Sequence, residues 1–162
     1  MEIDVVNLPT EEGLECVVGQ GNFTVKTIDE LYTLLYSSSK DIKFGVAMNE
    51  AKPKLVRAEG NDAELKKLAA DYCLKIGAGH VFVIFLKNAY PIHVLNNLKH
   101  HACVANIYLA TSNPAQVLVA KTELGRAVVG VVDGSAMEGL EGKKQREERK
   151  QLVEKLGFIP GD

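Results

Sequence analysis

The sequence predicts an α/β protein with a three-layer fold, in which helices cover a mixed, partly parallel sheet. Short runs of β-branched and aromatic residues alternate with segments whose apolar residues recur every three or four positions. The run Val81-Phe82-Val83-Ile84-Phe85-Leu86 is apolar throughout, which is typical of a central strand covered on both faces. Two of the helical segments connect strands in a way that favours parallel neighbours.

Length and composition indicate one globular domain over residues 1–162. Hydrophobic residues make up 46% of the chain and charged residues 25%, the ordinary balance for a domain that buries its own core. No repeat, low-complexity tract or linker divides the sequence. The formal net charge of -2 gives no overall field that would attract nucleic acid or an anionic membrane, so we expect neither as a partner.

Cysteine placement and hydropathy favour a cytoplasmic protein. Cys16, Cys73 and Cys103 are odd in number and far apart, which excludes a complete set of internal disulfides and any Cys-x-x-Cys metal site. No apolar stretch approaches the roughly 18 to 20 residues needed to span a bilayer. Charged residues interrupt the first twenty positions, so we expect no signal peptide.

The first two predicted helices follow from capping residues and apolar periodicity. The first begins at Thr27, whose hydroxyl forms a capping-box pattern with the Glu30 carboxylate, and it continues to about residue 35. The second covers 62–76, because leucines and other apolar residues recur there at helical spacing. Gly77 suits the end of this helix.

The remaining two helices lie in the second half of the chain. A helix over 91–99 begins with Pro91, which is favourable at the first helical position. The last helix covers 143–156 and ends at Gly157, with Pro160 just beyond.

Seven strands lie between the helices, at 2–8, 14–18, 42–48, 80–86, 104–109, 117–122 and 127–132. Helical crossovers predict that strands 42–48, 80–86 and 104–109 run parallel. Short turns at Ser112-Asn113-Pro114 and Glu123-Leu124-Gly125 favour antiparallel neighbours for the last three strands. The expected sheet is therefore mixed.

The segment Gly77-Ala78-Gly79-His80 is the strongest candidate for chemistry. It places an imidazole at the mouth of a buried strand, after a turn whose backbone can approach a ligand closely. Histidine acts near neutral pH as a base, an acid or a phosphate acceptor. The alternative is a structural histidine beside glycines that only end a helix.

Two further residues belong to the same predicted edge of the sheet. In the expected topology the turn before strand 127–132 brings Glu123 and Arg126 near His80. Glu123 would orient the imidazole, and Arg126 would hold a phosphate with its fork of donors. The alternative is a solvated turn with a surface ion pair.

The opposite edge collects the carboxyl ends of the predicted parallel strands, where ligands bind in open α/β sheets. Asn49, Glu50, Asn113 and Asp133 are the candidate ligand-binding residues there. Ordinary turn chemistry is the alternative for each of them. Within one monomer the two edges are too far apart to serve one small ligand, so a subunit interface would have to join them.

Other kinds of site are excluded by spacing. There is no Gly-x-x-x-x-Gly-Lys-Ser/Thr loop and no Gly-x-Ser-x-Gly nucleophile elbow. His100 and His101 are adjacent, and adjacent helix residues do not face one metal ion, so no metal site is predicted.

Several segments form an ordered pattern over nearly the whole chain: Phe44-Gly45-Val46-Ala47-Met48-Asn49-Glu50-Ala51, Leu55-Val56-Arg57, Gly60-Asn61-Asp62, Ile76-Gly77-Ala78-Gly79-His80, Tyr90-Pro91-Ile92, Val94-Leu95-Asn96, Ala110-Thr111-Ser112-Asn113-Pro114, Glu123-Leu124-Gly125-Arg126 and Gly130-Val131-Val132-Asp133-Gly134. Together they resemble the adenosine-specific kinase family of archaea and thermophilic bacteria. The resemblance implies a compact three-layer fold, self-association as trimers, and recognition of adenosine and AMP.

The resemblance also implies that a histidine carries phosphate, and His80 matches the family's glycine-rich setting. Phosphate would then pass from a donor that the sequence does not identify to the imidazole, and on to adenosine or AMP. No certain cofactor is implied besides these ligands. A non-catalytic module that binds or senses adenosine and AMP is the alternative, and an oligomeric scaffold is a third.

Overall fold

The computed structural model describes residues 1–158. The strands of this part of the chain are β1 (Glu2–Asn7), β2 (Glu15–Gly21), β3 (Lys43–Asn49), β4 (Val56–Gly60), β5 (Val81–Lys87), β6 (Val104–Thr111), β7 (Ala115–Lys121) and β8 (Arg126–Asp133). The helices are α1 (Thr27–Tyr36), α2 (Ala63–Ile76), α3 (Leu95–Lys99) and α4 (Lys143–Lys155). A short 3-10 helix at Pro91–His93 precedes α3, so the predicted helix 91–99 is broken in two. Pro160, predicted to follow the last helix, lies outside the described residues.

The strands form two sheets. The larger sheet has the order β4-β3-β5-β2-β6, and the smaller has the order β1-β7-β8. Every neighbouring pair is antiparallel. The α/β class is confirmed, whereas the prediction of a mixed, partly parallel sheet is wrong.

The error comes from β4, a strand that the sequence analysis missed. β4 folds back on β3, so α2 starts from the edge opposite to the one assumed and delivers β5 antiparallel to β3. The crossover through α3 does connect strands that point the same way, but β2 lies between β5 and β6 and is antiparallel to both. No parallel pair therefore forms.

The last three strands also divide between the sheets. β7 and β8 are antiparallel neighbours, as their short turn predicted. The turn at Ser112-Asn113-Pro114 instead carries the chain from β6 in the larger sheet to β7 in the smaller one.

Both faces of the larger sheet are buried. On one face, α1 and α3 cover a cluster that includes Phe44, Phe82 and Leu86. On the other face, α2 and the smaller sheet cover a cluster that includes Phe85. The complete burial of β5 from Val81 to Leu86 agrees with the uniformly apolar run. No residue of α4 is buried.

The helix ends show which capping predictions hold. The Asp62 carboxylate accepts a hydrogen bond from the Leu65 N–H at 3.0 Å, and Gly77 ends α2 in the left-handed conformation with φ 61°. The predicted capping box at Thr27 is wrong, because the buried Thr27 hydroxyl donates to the Thr24 carbonyl oxygen at 3.0 Å. Glu30 instead pairs with Lys26 and His101.

The three cysteines are free and buried. Burial raises the pKa of all three thiols, to about 12 for Cys73 and to about 11 for Cys103, and also well above its usual value for Cys16. Neutral thiols are poor nucleophiles, so all three serve as small apolar core residues. Among residues 1–158, no helix is long and apolar enough to cross a bilayer.

Candidate functional site

His80 lies in the turn before β5, not within the strand as predicted. Its φ of 59° is in the left-handed region. Its N–H donates to the Asn49 carbonyl oxygen at 2.8 Å, and its own carbonyl oxygen accepts from the Gly21 N–H at 2.7 Å. Both backbone groups are thus fixed by neighbouring strands, while the imidazole remains partly exposed. Phe23, which is 85% exposed, packs edge-on at 6.1 Å between ring centroids.

Gly21 packs closely against the His80 backbone. A β-carbon at Gly21 would lie 2.8 Å from the Met48 methyl carbon and 3.1 Å from the His80 carbonyl oxygen. A side chain there would push directly on the backbone that positions the imidazole. The close approach of β2 to the His80 turn therefore requires glycine.

Asn49 and Glu50 lie at the same edge as His80, which corrects their predicted place at the opposite edge. Because β3 is antiparallel to β5, the end of β3 meets the beginning of β5. The Asn49 side chain is 8% exposed and donates to the carbonyl oxygens of Cys73 and Ala78, each at 3.0 Å. Asn49 thus ties the end of α2 to the His80 turn.

Glu50 carries an unsatisfied oxygen. Its N–H donates to the Leu55 carbonyl oxygen at 2.9 Å, which continues the pairing of β3 with β4. Its Oε1 atom is buried and has no hydrogen-bond partner within residues 1–158. A buried acceptor without a donor is costly, so this oxygen is suited to a donor from a bound ligand.

Arg126 lies against the His80 segment, near Gly77, and each of its three side-chain nitrogens already donates one hydrogen bond. The guanidinium donates to the carbonyl oxygens of Ile76 at 2.8 Å and Lys75 at 3.2 Å, and to the Asp4 carboxylate at 2.9 Å. It therefore closes the carboxyl end of α2. Three of its five N–H donors are committed to this structural role, which leaves two for the predicted phosphate contact.

Glu123 lies in the exposed turn between β7 and β8. Within the described residues it forms no hydrogen bond with the His80 ring, and the turn is held by Thr122 and Gly125 instead. Its predicted role in orienting the imidazole has no support from a direct contact.

Asn113 and Asp133 lie close together at the other edge of the larger sheet. The Asp133 carboxylate accepts from the Thr111 hydroxyl at 2.7 Å and from the Asn113 amide at 3.2 Å. These residues border an open cleft of about 730 Å³ with the segment 134–141. Thr111 is opposite Cys16 on β2, and Gly21, which bonds His80, is five residue steps further along that strand, or about 17 Å. Within one chain, Asn113 and Asp133 do not share a site with His80.

Sequence reasoning missed three residues at the His80 edge. Gln20 donates to the Gly79 carbonyl oxygen at 2.9 Å and accepts from the Tyr108 hydroxyl at 2.8 Å, so it braces the turn from β2. Phe23 flanks the imidazole, and Arg57 lies on β4 opposite Met48. The alternation of Val56 and Ala58 with Arg57 and Glu59 was the available signal for β4.

The comparisons with known proteins agree with the sequence pattern. The family model described as adenosine specific kinase matches residues 6–159. The crystal structure of the PH1918 protein from Pyrococcus horikoshii OT3 is 56% identical in sequence, with a TM-score of 0.95 and 99% of each chain covered. No match was found among curated proteins. With a family match over almost its whole length, the chain belongs to the adenosine-specific kinase family and has a function related to adenosine.

Proposed function

We propose that the protein binds adenosine and AMP and transfers phosphate through a phosphohistidine at His80. The observation that carries the proposal is the His80 turn, in which the backbone is held by two strands and the imidazole is left accessible. A nucleophile needs this combination of fixed position and free side chain. Family membership supports adenosine as the nucleoside.

The transfer would proceed in two displacements. A neutral imidazole nitrogen of His80 attacks the donor's phosphorus, an N–P bond forms, and the donor's P–O bond breaks with the electron pair leaving on oxygen. A hydroxyl of the nucleoside then attacks the same phosphorus, and the N–P bond breaks. The hydroxyl proton passes to solvent or to a carboxylate beside the ring, for which Glu50 is the candidate at this edge.

Labelling with radioactive phosphate donors tests the first displacement. Wild type is expected to acquire acid-labile label, and His80→Ala is expected to acquire none. His93→Ala is the matched control, because His93 is exposed and its ring accepts a hydrogen bond from the Tyr90 N–H at 2.9 Å within its own turn. Equal labelling of wild type and His80→Ala would exclude His80 as the acceptor.

A non-catalytic module that senses adenosine and AMP is the second candidate. It is favoured by the absence of a P-loop in the sequence and by the three structural hydrogen bonds that the Arg126 guanidinium makes. Calorimetry with AMP and a turnover assay distinguish the candidates. Binding without conversion would favour the sensor, and conversion of adenosine to AMP would exclude it.

Self-association as trimers is part of the proposal, because the resemblance to the family implies it. Exposed apolar side chains on the smaller sheet, including Ile3, Val5 and Val129, support contact with a further copy. Light scattering on purified protein should give the mass of three chains or a multiple of three. A cytoplasmic location and the lack of a nucleic-acid partner stay predictions.

A further inference from the structure

Arg57 lies at the same edge of the larger sheet as His80. Arg57 is directly opposite Met48 in the antiparallel pair of β4 and β3, and opposite residues point to the same face. Met48 belongs to the buried cluster beneath α1, so Arg57 points to that face as well. Met48 is also opposite Phe82 of β5, two residues after His80.

Glu50 follows β3, which lies between the strand of Arg57 and the strand that His80 precedes. It continues the alternation of Phe44, Val46 and Met48 on the face beneath α1. The bond from its N–H to Leu55 places it diagonally across from Arg57, a separation of about 7–8 Å. β3 lies between β4 and β5, and the Asn49 carbonyl oxygen accepts from the His80 N–H at 2.8 Å, so Glu50 lies at the edge that carries His80.

Arg57 and Glu50 have opposite charges and yet do not pair. Among residues 1–158, the Arg57 guanidinium takes part in no salt bridge, although the residue is partly buried. Glu50 Oε1 has no donor. A guanidinium without a carboxylate partner and a carboxylate oxygen without a donor, at such a separation, suit a ligand that has both an anionic group and a hydroxyl group.

We infer that Arg57 and Glu50 recognise the ligand at the His80 site, with Arg57 binding a phosphate monoester such as that of AMP and Glu50 accepting a hydrogen bond from a nucleoside hydroxyl. We prefer Arg57 to Arg126 as the phosphate-binding cation, because Arg126 is paired with the Asp4 carboxylate and also holds the end of α2, whereas Arg57 has no carboxylate partner among residues 1–158. The inference rests on the proposed binding of adenosine and AMP.

Calorimetric titration of the full-length protein with AMP and with adenosine tests this assignment. Arg57→Gln is expected to weaken AMP binding about 10- to 100-fold, the usual loss for a charge-assisted hydrogen bond, and to change adenosine binding less than about threefold. Glu50→Ala removes the acceptor oxygens and should weaken the binding of both ligands. Lys43→Gln is the charge-matched control, because Lys43 begins β3 at the far edge of the sheet. Arg57→Lys keeps the charge without the planar fork and should fall between wild type and Arg57→Gln.

A second probe separates this inference from the proposed function. Inorganic phosphate is titrated into wild type and Arg57→Gln while the His80 ring signals of both, and the Arg57 Nε–H signal of wild type, are followed by NMR. If neither AMP nor adenosine binds, but phosphate shifts the Arg57 Nε–H signal and shifts the His80 signals in wild type and not in Arg57→Gln, the nucleoside function fails and the Arg57 assignment stands. If AMP binds equally well to wild type and Arg57→Gln, the assignment is overturned and the nucleoside function stands. If neither nucleotide nor phosphate binds, both are overturned.

Discussion

His80 has a backbone conformation that costs a residue with a β-carbon about 1–2 kcal/mol. Two hydrogen bonds offset the cost: the His80 N–H donates to the Asn49 carbonyl oxygen, and the His80 carbonyl oxygen accepts from the Gly21 N–H. The strained turn directs the side chain out of the strand alternation, so the imidazole does not enter the core beside Phe82. The strain thus has a positional effect on the group proposed to carry phosphate.

Replacement of His80 by glycine should therefore stabilise the fold. His80→Gly removes the β-carbon and is expected to raise the free energy of unfolding by about 0.5–1 kcal/mol, while abolishing phosphate labelling. His80→Ala is the matched control, because it also lacks the imidazole but keeps the β-carbon. Urea unfolding measures both variants. Equal stability of the glycine and alanine variants would contradict a strained His80.

Asn49 holds the same turn from the side of β3. Asn49→Ala removes its bonds to the Cys73 and Ala78 carbonyl oxygens, which keep one bond each, from the Gly77 and Val81 N–H groups. We expect a loss of about 1–2 kcal/mol in urea unfolding and weaker phosphate labelling. Asn22→Ala, which removes an exposed amide, should cost less than about 1 kcal/mol. An unchanged unfolding midpoint for Asn49→Ala would contradict this role.

At the level of elements, the end of α2 is the most strongly fixed part of the site. Gly77 ends the helix, Asn49 binds the carbonyl oxygen of Cys73 in its last turn, and Arg126 reaches from the start of β8 to the carbonyl oxygens of Lys75 and Ile76. Three elements therefore meet at the segment that leads into His80. Arg126 acts on the site by holding α2 in place.

The Asp4 ion pairs make this contact depend on pH. Hydrogen bonds from Lys121 and Arg126 lower the pKa of the Asp4 carboxyl below its usual 3.8. Asp4 therefore contributes stability above about pH 3.8, and this contribution is lost as the pH falls through the lowered value. The difference in unfolding free energy between wild type and Asp4→Asn should shrink between about pH 6 and about pH 3. Asp41→Asn, which changes an exposed carboxylate, serves as the control, and a constant difference for Asp4→Asn would contradict the expectation.

The elements also show how far sequence reasoning reached. The seven predicted strands lie close to their observed positions, because hydrophobic alternation and turn residues mark them clearly. β4 was missed because it has five residues, includes Arg57 and Glu59, and buries none of them fully. Without β4, β3 was predicted to run parallel to β5 instead of antiparallel to it. Asn49 and Glu50 were therefore assigned to the wrong edge, and Arg57 was assigned to no strand.

The positions of candidate residues in the fold were predicted best where the local sequence determines them. The glycine-rich segment before an apolar run placed His80 next to the start of β5. The partners of Arg126 depend on Asp4, which is 122 residues away in sequence, and no local pattern contains that information. Contacts between residues far apart in sequence determine which arginine side chains have N–H donors left to bind a ligand.

At the scale of the whole molecule, α4 contributes no residue to either hydrophobic core cluster. None of its residues is buried, and an isolated helix of 13 residues is marginal in water. Deletion of residues 143–158 should therefore change the unfolding free energy of the isolated chain by less than about 0.5 kcal/mol. Urea unfolding at low protein concentration, followed by tyrosine fluorescence, measures this. A loss above about 2 kcal/mol would contradict an unpacked α4.

The buried thiols have a practical consequence for measuring ligand binding. Because Cys16, Cys73 and Cys103 are enclosed and protonated at neutral pH, maleimide dyes should leave the native protein unmodified. A cysteine introduced at the exposed Phe23 position would then be the single attachment point for a fluorophore. The natural sequence thus already provides the unreactive background that fluorescent reporters usually need engineering to obtain.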